Sequence, residues 1–195
     1  MDTNELCNTI LYYLSHHGHG DDLINPGKLT NITWLINVIH TIKYNESALT
    51  PKALLEFEIG YYGPFNKNII DTFDPIDMYD TDYTPHYVKS SIQDQYLIKN
   101  GNVFDVKVIP FDYLTVPRPV RQIVEQHVLP LWQTDNFELS QIFQNEPQVK
   151  TATDHFDHTY YNLTKSVDYF RDHPKILSKI INQYNQPIKE TPSND

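Results

Sequence analysis

The sequence predicts a mainly α fold, a compact multi-helix bundle with a small β-hairpin at about residues 96–108. Three observations predict it. From Lys28 to Tyr44, Leu29, Ile32, Leu35, Ile36, Ile39 and Ile42 recur at helical spacing, and Trp34 and Val38 widen the stripe to that of a buried central helix. Asn100-Gly101 stands between two β-prone runs, a short-range hairpin signal. The extended stretch at 54–62 runs into Gly63-Pro64, after which Phe65, Ile69, Ile70 and Phe73 follow a helical pattern. Pro64 is expected to open that helix, because a first-turn residue has no use for the N–H that proline lacks.

The other elements follow in order. Residues 4–17 predict a helix capped by Asn4, with Leu6, Ile10, Tyr13 and Leu14 on one face. Gly18-His19-Gly20-Asp21-Asp22 ends it, and Asn25-Pro26-Gly27 is a turn signal. Asn45-Glu46-Ser47 breaks the central helix, and Thr50-Pro51 opens a short helical turn with Thr50 as cap. Residues 74–85 read as a loop and 86–95 as a short helix. Pro117-Arg118-Pro119 precedes a helix lined by Val120, Ile123, Val124, Val128 and Leu131, with a kink or stop at Pro130. A helix over 136–145 and one starting at His173-Pro174 complete the set. Residues 1–184 are expected to form a single domain and 185–195 a flexible tail, since that end is polar and holds Pro187 and Pro192.

Composition narrows the function classes. The chain has 195 residues, 14 Tyr and 9 Phe, so large aromatic side chains can fill a core that few aliphatics supply. Its formal net charge of -10 argues against a grip on nucleic-acid phosphates and fits a basic partner, or plain solubility, better. The hairpin could mimic a winged helix with Lys89, Lys99 and Lys107, but Asp94 and Asp105 share that region. A single cysteine excludes an intramolecular disulfide and fits a reducing cytoplasm. The acidic start lacks a signal peptide's basic region, and no apolar run is long enough to span a bilayer, so a cytoplasmic location is expected.

Three clusters hold residues that could carry chemistry. His16, His17 and His19 lie near Asp21 and Asp22, while His155 and His158 are spaced to share a helix face and one metal ion. No HExxH or facial triad accompanies them, and histidines at a helix end more often serve as a solvated cap. No metal and no cofactor is therefore expected. Asp74, Asp77, Asp80 and Asp82 lack the glycine and glutamate of a calcium loop, so a solvated loop is the simpler reading. Tyr79, Tyr83 and Tyr87, interleaved with them, suit a protein contact. Cys7 sits beside Leu6 and Ile10, the place of a small buried hydrophobe rather than a nucleophile. Neither a GxSxG elbow nor a phosphate-binding glycine loop occurs, so no catalytic residue is assigned.

Lys28-Leu29 opens a long apolar helix, a polar connection with Leu49-Thr50 follows, then Tyr62-Gly63-Pro64-Phe65, and residues 117–147 end in Glu146-Pro147. On these features residues 28–147 resemble the Panacea domain family of phage-associated, antitoxin-like proteins. The first helix is like the family's Lys-Leu-x-Lys-Leu-Leu-Tyr helix, Tyr62-Gly63-Pro64-Phe65 is similar to its Tyr-Gly-Pro-Val, and residues 117–147 resemble its closing helices and turn. Asn31 stands where the family has a second Lys, Trp34 replaces its Tyr, and its Gly-Arg-Pro-Leu is missing.

The resemblance implies a mostly helical fold without catalysis. It implies a module that neutralises a partner toxin by direct binding, or acts as an adaptor that delivers it to a protease. Lys28, Leu29, Trp34, Tyr61, Tyr62, Gly63, Pro64 and Phe65 are then either structural or part of the partner-binding surface. The expected partner is a protein, with a basic toxin favoured by charge, and self-association is left open. Two other readings stay open: a metal-dependent hydrolase built on the histidines, and an acidic regulatory or DNA-mimic protein.

Overall fold

Asp2, not Asn4, starts the first helix. Its carboxylate accepts from the Glu5 N–H at 2.8 Å while its own N–H donates to the Glu5 carboxylate at 2.9 Å, a reciprocal capping box. Helix α1 runs Thr3–Leu14 and buries Leu6, Cys7, Ile10, Leu11 and Leu14. It ends short of residue 17 in a wider π-type turn over Ser15–His19, where Gly18 takes a positive φ of 86°. The computed structural model describes residues 1–73, 112–152 and 159–178.

Helix α2, Pro26–Tyr44, is the centre of the fold. Asn25-Pro26-Gly27 is not a free turn but its start: Asn25 accepts from the Lys28 N–H at 3.0 Å and Pro26 occupies the first turn. Every residue from Leu29 to His40 is buried. A helix buried all round must satisfy its own polar side chains. Thr30 and Thr33 donate back to the carbonyls of Pro26 and Leu29, at 2.8 and 2.7 Å. Asn37 Oδ1 accepts from Ser47 Oγ and from the N–H groups of Ala48 and Leu49, which fixes the chain after the helix. Asn45 ends α2 with a φ of 56°, as the break predicted there requires. Thr50 then caps the short helix α3, Pro51–Leu54, also as expected.

Pro64 does not open a helix. Strand β1, Glu58–Gly60, turns at Tyr61-Tyr62 and pairs antiparallel with β2, Gly63–Phe65, in the register Glu58 to Phe65, Ile59 to Pro64 and Gly60 to Gly63. The next helix, α4, begins at Lys67 and runs to Phe73, capped by Asn66, which accepts from the Ile69 N–H at 3.1 Å. The apolar positions after Gly63 thus belong to two elements. Phe65 is the end of a strand, and Ile69 and Ile70 lie on the helix.

Among the described residues, a 3-10 turn at Tyr113–Thr115 leads to α5, Arg118–Gln133. Pro130 neither stops nor ends α5, which continues to Gln133 before Thr134 N donates to Pro130 O at 3.1 Å. Helices α6, Asn136–Gln144, α7, Pro147–Lys150, and α8, Leu163–Asp172, follow, and residues 174–178 are helical. Helix α2 packs against α1, α4, α5, α8 and β2, around one buried core that extends from Leu6 to Leu177. The fold is mainly α with a small β element, as the sequence predicts. The described sheet is the one at 58–65, while the hairpin expected at 96–108 lies outside the described residues. So do the acidic loop, the expected helix at 86–95 and the tail at 185–195. Among the described residues, no helix is long and apolar enough to cross a membrane.

Candidate interaction site

The sheet carries the aromatic segment that stands out in the sequence, and its two faces differ sharply. Directly paired residues of antiparallel strands share a face. Ile59 and Pro64, one such pair, are buried. Glu58 pairs with Phe65 on one side and bridges Tyr160 on the other, where Ile59 N donates to Thr159 O and Tyr161 N to Phe57 O, both at 2.8 Å. Phe65, Glu58 and Tyr160 therefore form one row, with Phe65 39% and Tyr160 58% exposed and Glu58 half-buried between them. At the tip, Tyr61 and Tyr62 are 57% and 65% exposed. Neither tyrosine has a positive φ. That conformation falls on Gly63, at 119°. A Cβ on Gly63 would also lie 2.7 Å from the Phe143 side chain, so the turn sits hard against α6.

The row rests on an aromatic and acidic hub. Trp34 packs against Phe57 and Tyr161 at 4.9 and 5.0 Å between ring centroids, and Phe143 meets Tyr161 and Phe170 edge-on. Below these rings lies Glu146, fully buried. Its carboxyl accepts from Ser166 Oγ at 2.6 Å, from Tyr161 OH at 2.5 Å and from Gln148 Nε2. Ser166 Oγ in turn accepts from Trp34 Nε1 at 3.2 Å, and Gln148 Oε1 accepts from Asn162 N at 2.9 Å. Burial pushes the Glu146 carboxyl above its ordinary range, although the hydrogen bonds from Ser166, Tyr161 and Gln148 pull the other way. Burial, reinforced by Glu146, pushes the Tyr161 phenol up. The hub thus joins α2, α7, α8 and the segment paired with β1 behind the exposed row.

The predicted site residues separate by burial. Leu29 and Trp34 are fully buried, and Gly63 and Pro64 are buried. Tyr61, Tyr62 and Phe65 face outward. Lys28 lies away from this row, half-buried with its Nζ 5.3 Å from the centroid of the Trp132 ring. Burial lowers the Lys28 ammonium's pKa against the opposing pull of Asp135 and Asp22. Asp22 accepts from His19 Nδ1 and Trp132 Nε1, both at 2.8 Å. Burial alone would raise that carboxyl, but these bonds hold it below its ordinary range.

His16 and His17 close the end of α1. Their Nδ1 atoms lie 2.9 and 2.7 Å from the carbonyls of Tyr12 and Tyr13, and their rings stack on those tyrosines. A carbonyl only accepts, so each Nδ1 carries the proton. Among the described residues, no three His, Cys, Asp or Glu side chains come together to hold a metal ion, and His155 and His158 lie outside them. Cys7 is fully buried beside Thr33, and burial pushes its thiol up to about 12, the environment of a small hydrophobe.

The chain matches no model of a known protein family, no curated protein and no solved structure. Sequence reasoning missed the hub and Tyr160. Glu146-Pro147 was visible as a turn, but nothing local marks a glutamate as buried. Tyr160 reaches the row only through pairing across about a hundred residues, between Glu58 and itself.

Proposed function

We propose that this chain is a cytoplasmic protein-binding module of the antitoxin type. It neutralises a partner toxin by direct contact or delivers it to a protease as an adaptor. One observation supports this reading above the rest. The chain's Tyr-Gly-Pro-Phe motif lies in an ordered turn whose buried residues lock the backbone while its aromatic rings project outward. Tyrosine and phenylalanine held this way supply contact area at little entropic cost, which is how aromatic anchors act at protein interfaces. The acidic charge of -10 favours a basic partner by steering its approach.

The test is to sequence the genes flanking this one and to co-express the chain with any small reading frame found there. The product of that frame should arrest growth alone, grow harmlessly beside this chain and co-elute with it. A harmless neighbour that does not co-elute removes the antitoxin reading.

A further inference from the structure

We infer that Glu146 is a proton-operated latch on residues 159–162. While its carboxyl is protonated, this segment stays paired with β1. Once the carboxyl ionises, the segment opens far more often, with α2 and its core left in place. The device belongs to this chain alone and needs no partner, so it stands or falls apart from the antitoxin reading.

The placement of the carboxyl carries it. Glu146 sits between α6 and α7 with no exposed surface. Its three donors are neutral: Ser166 from α8, Gln148 from α7 and Tyr161 from the segment itself. The titratable groups that face it are the phenols of Tyr161 and Tyr169, both pushed up by burial and by Glu146, so they stay uncharged. From α2 comes only Trp34 Nε1, through Ser166, and from α6 the Phe143 ring packed on Tyr161. Among the described residues, no cation forms an ion pair with Glu146. A buried carboxylate without a cation gains most by reaching water. Residues 159–162 are the piece that yields first. Ser166 and Trp34 lie inside helices, whereas this segment is held to β1 by two backbone bonds, Ile59 N to Thr159 O and Tyr161 N to Phe57 O, and to Gln148 through Asn162. Thr159 and Tyr160 are already at the surface, and opening also takes the Tyr160 ring off the sheet. Closing favours the neutral acid, because burial raises the closed-state pKa above the ordinary 4.5 that the opened, hydrated carboxyl regains. Opening is therefore rarest below the ordinary value, grows by up to about tenfold per pH unit above it, and levels off beyond the raised value.

Amide hydrogen exchange of the full-length protein between pH 4 and pH 8, corrected for the intrinsic rate, is the test. At pH 8 the amides of Ile59 and Tyr161, which hold the segment to β1, should exchange about tenfold or more faster than those of Leu35 and Ile36 in α2, the mark of a local opening. Their opening constant should rise by about threefold or more across the range and level off where the Glu146 carboxyl carbon titrates by NMR. Glu146→Gln should hold that constant within about twofold at every pH, with the α2 resonances in place. Tyr161→Phe keeps the ring and removes a donor that eases the charge, so it should carry the rise to higher pH. This second variant decides the matter if Glu146→Gln does not fold. Four results each overturn the proposal: Ile59 and Tyr161 amides as slow as those of Leu35 and Ile36, a rise that survives in Glu146→Gln, a curve unmoved by Tyr161→Phe, or a Glu146 carboxyl that titrates at or below its ordinary value.

Discussion

Gly63 concentrates the constraints on the candidate surface in a single residue. Its φ of 119° lies where side chains are strained, and an added Cβ would meet Phe143 at 2.7 Å. Gly63→Ala should therefore lower stability by roughly 2 kcal/mol or more in urea denaturation, because backbone strain and a core clash add. A loss under about 0.5 kcal/mol would mean that the turn relaxes freely, and the rigid presentation of Tyr61 and Tyr62 would fail with it. Cys7 gives a second test at this scale. With no exposed surface and a thiol pushed up to about 12, it should resist a thiol reagent in the native protein at pH 8. One equivalent should react after unfolding, matching the single cysteine. Fast labelling of the native state would contradict the buried placement. Its neighbours Leu6 and Ile10 made this burial legible in the sequence. The conformation of Gly63 was legible only as a break, because which way a Gly-Pro pair turns depends on Phe143, far along the chain.

At the scale of elements, three prolines explain why some boundaries were readable and one was not. Pro26 and Pro51 follow Asn25 and Thr50, side chains that accept from the first-turn N–H groups, and both open helices. Pro64 follows Gly63, which offers no acceptor, and sits in a strand. The usable signal was Asn66, one residue before α4, and it was hidden by the helical spacing of Phe65 and Ile69. Asn66 is fully buried, caps Ile69 N through Oδ1, and has no partner for its Nδ2 among the described residues. Asn66→Ala should cost about 1 kcal/mol by removing the cap. Asn66→Ser keeps an acceptor and removes the unpartnered amide, so it should cost clearly less than Asn66→Ala in the same denaturation series. Equal losses would show that volume, not capping, fixes the start of α4. The central place of α2 was legible from its wide apolar stripe, but the burial of Thr30, Thr33, Asn37 and His40 on its other side was not, because those side chains are polar.

At the scale of the whole molecule, Glu146 ties together segments that no local pattern connects. Trp34 and Ser166 are bonded across 132 positions, and the helix that carries Trp34 read only as apolar. The stability consequence has a definite sign. Burial raises the folded-state pKa of Glu146 above its ordinary value of 4.5, so folding favours the neutral acid. That contribution is fully present below the ordinary carboxylate pKa and is lost as pH rises through the raised folded value. Glu146→Gln is neutral at every pH, and its amide can donate to Tyr161 OH, which can also accept. The stability of Glu146→Gln relative to the natural chain should therefore grow as pH rises from about 4.5, by at most ~1.4 kcal/mol per pH unit for one proton, and then level off. Ser166→Ala deepens the test, because it removes a donor that eases the charge on Glu146. At pH 8 it should cost more in the natural chain than beside Glu146→Gln, with a coupling of about 0.5–3 kcal/mol in a double-mutant cycle. A stability difference that stays flat with pH, together with additive losses, would reduce the hub to ordinary packing. A coupled, pH-dependent result would establish that the support beneath the aromatic row loosens as the carboxyl ionises.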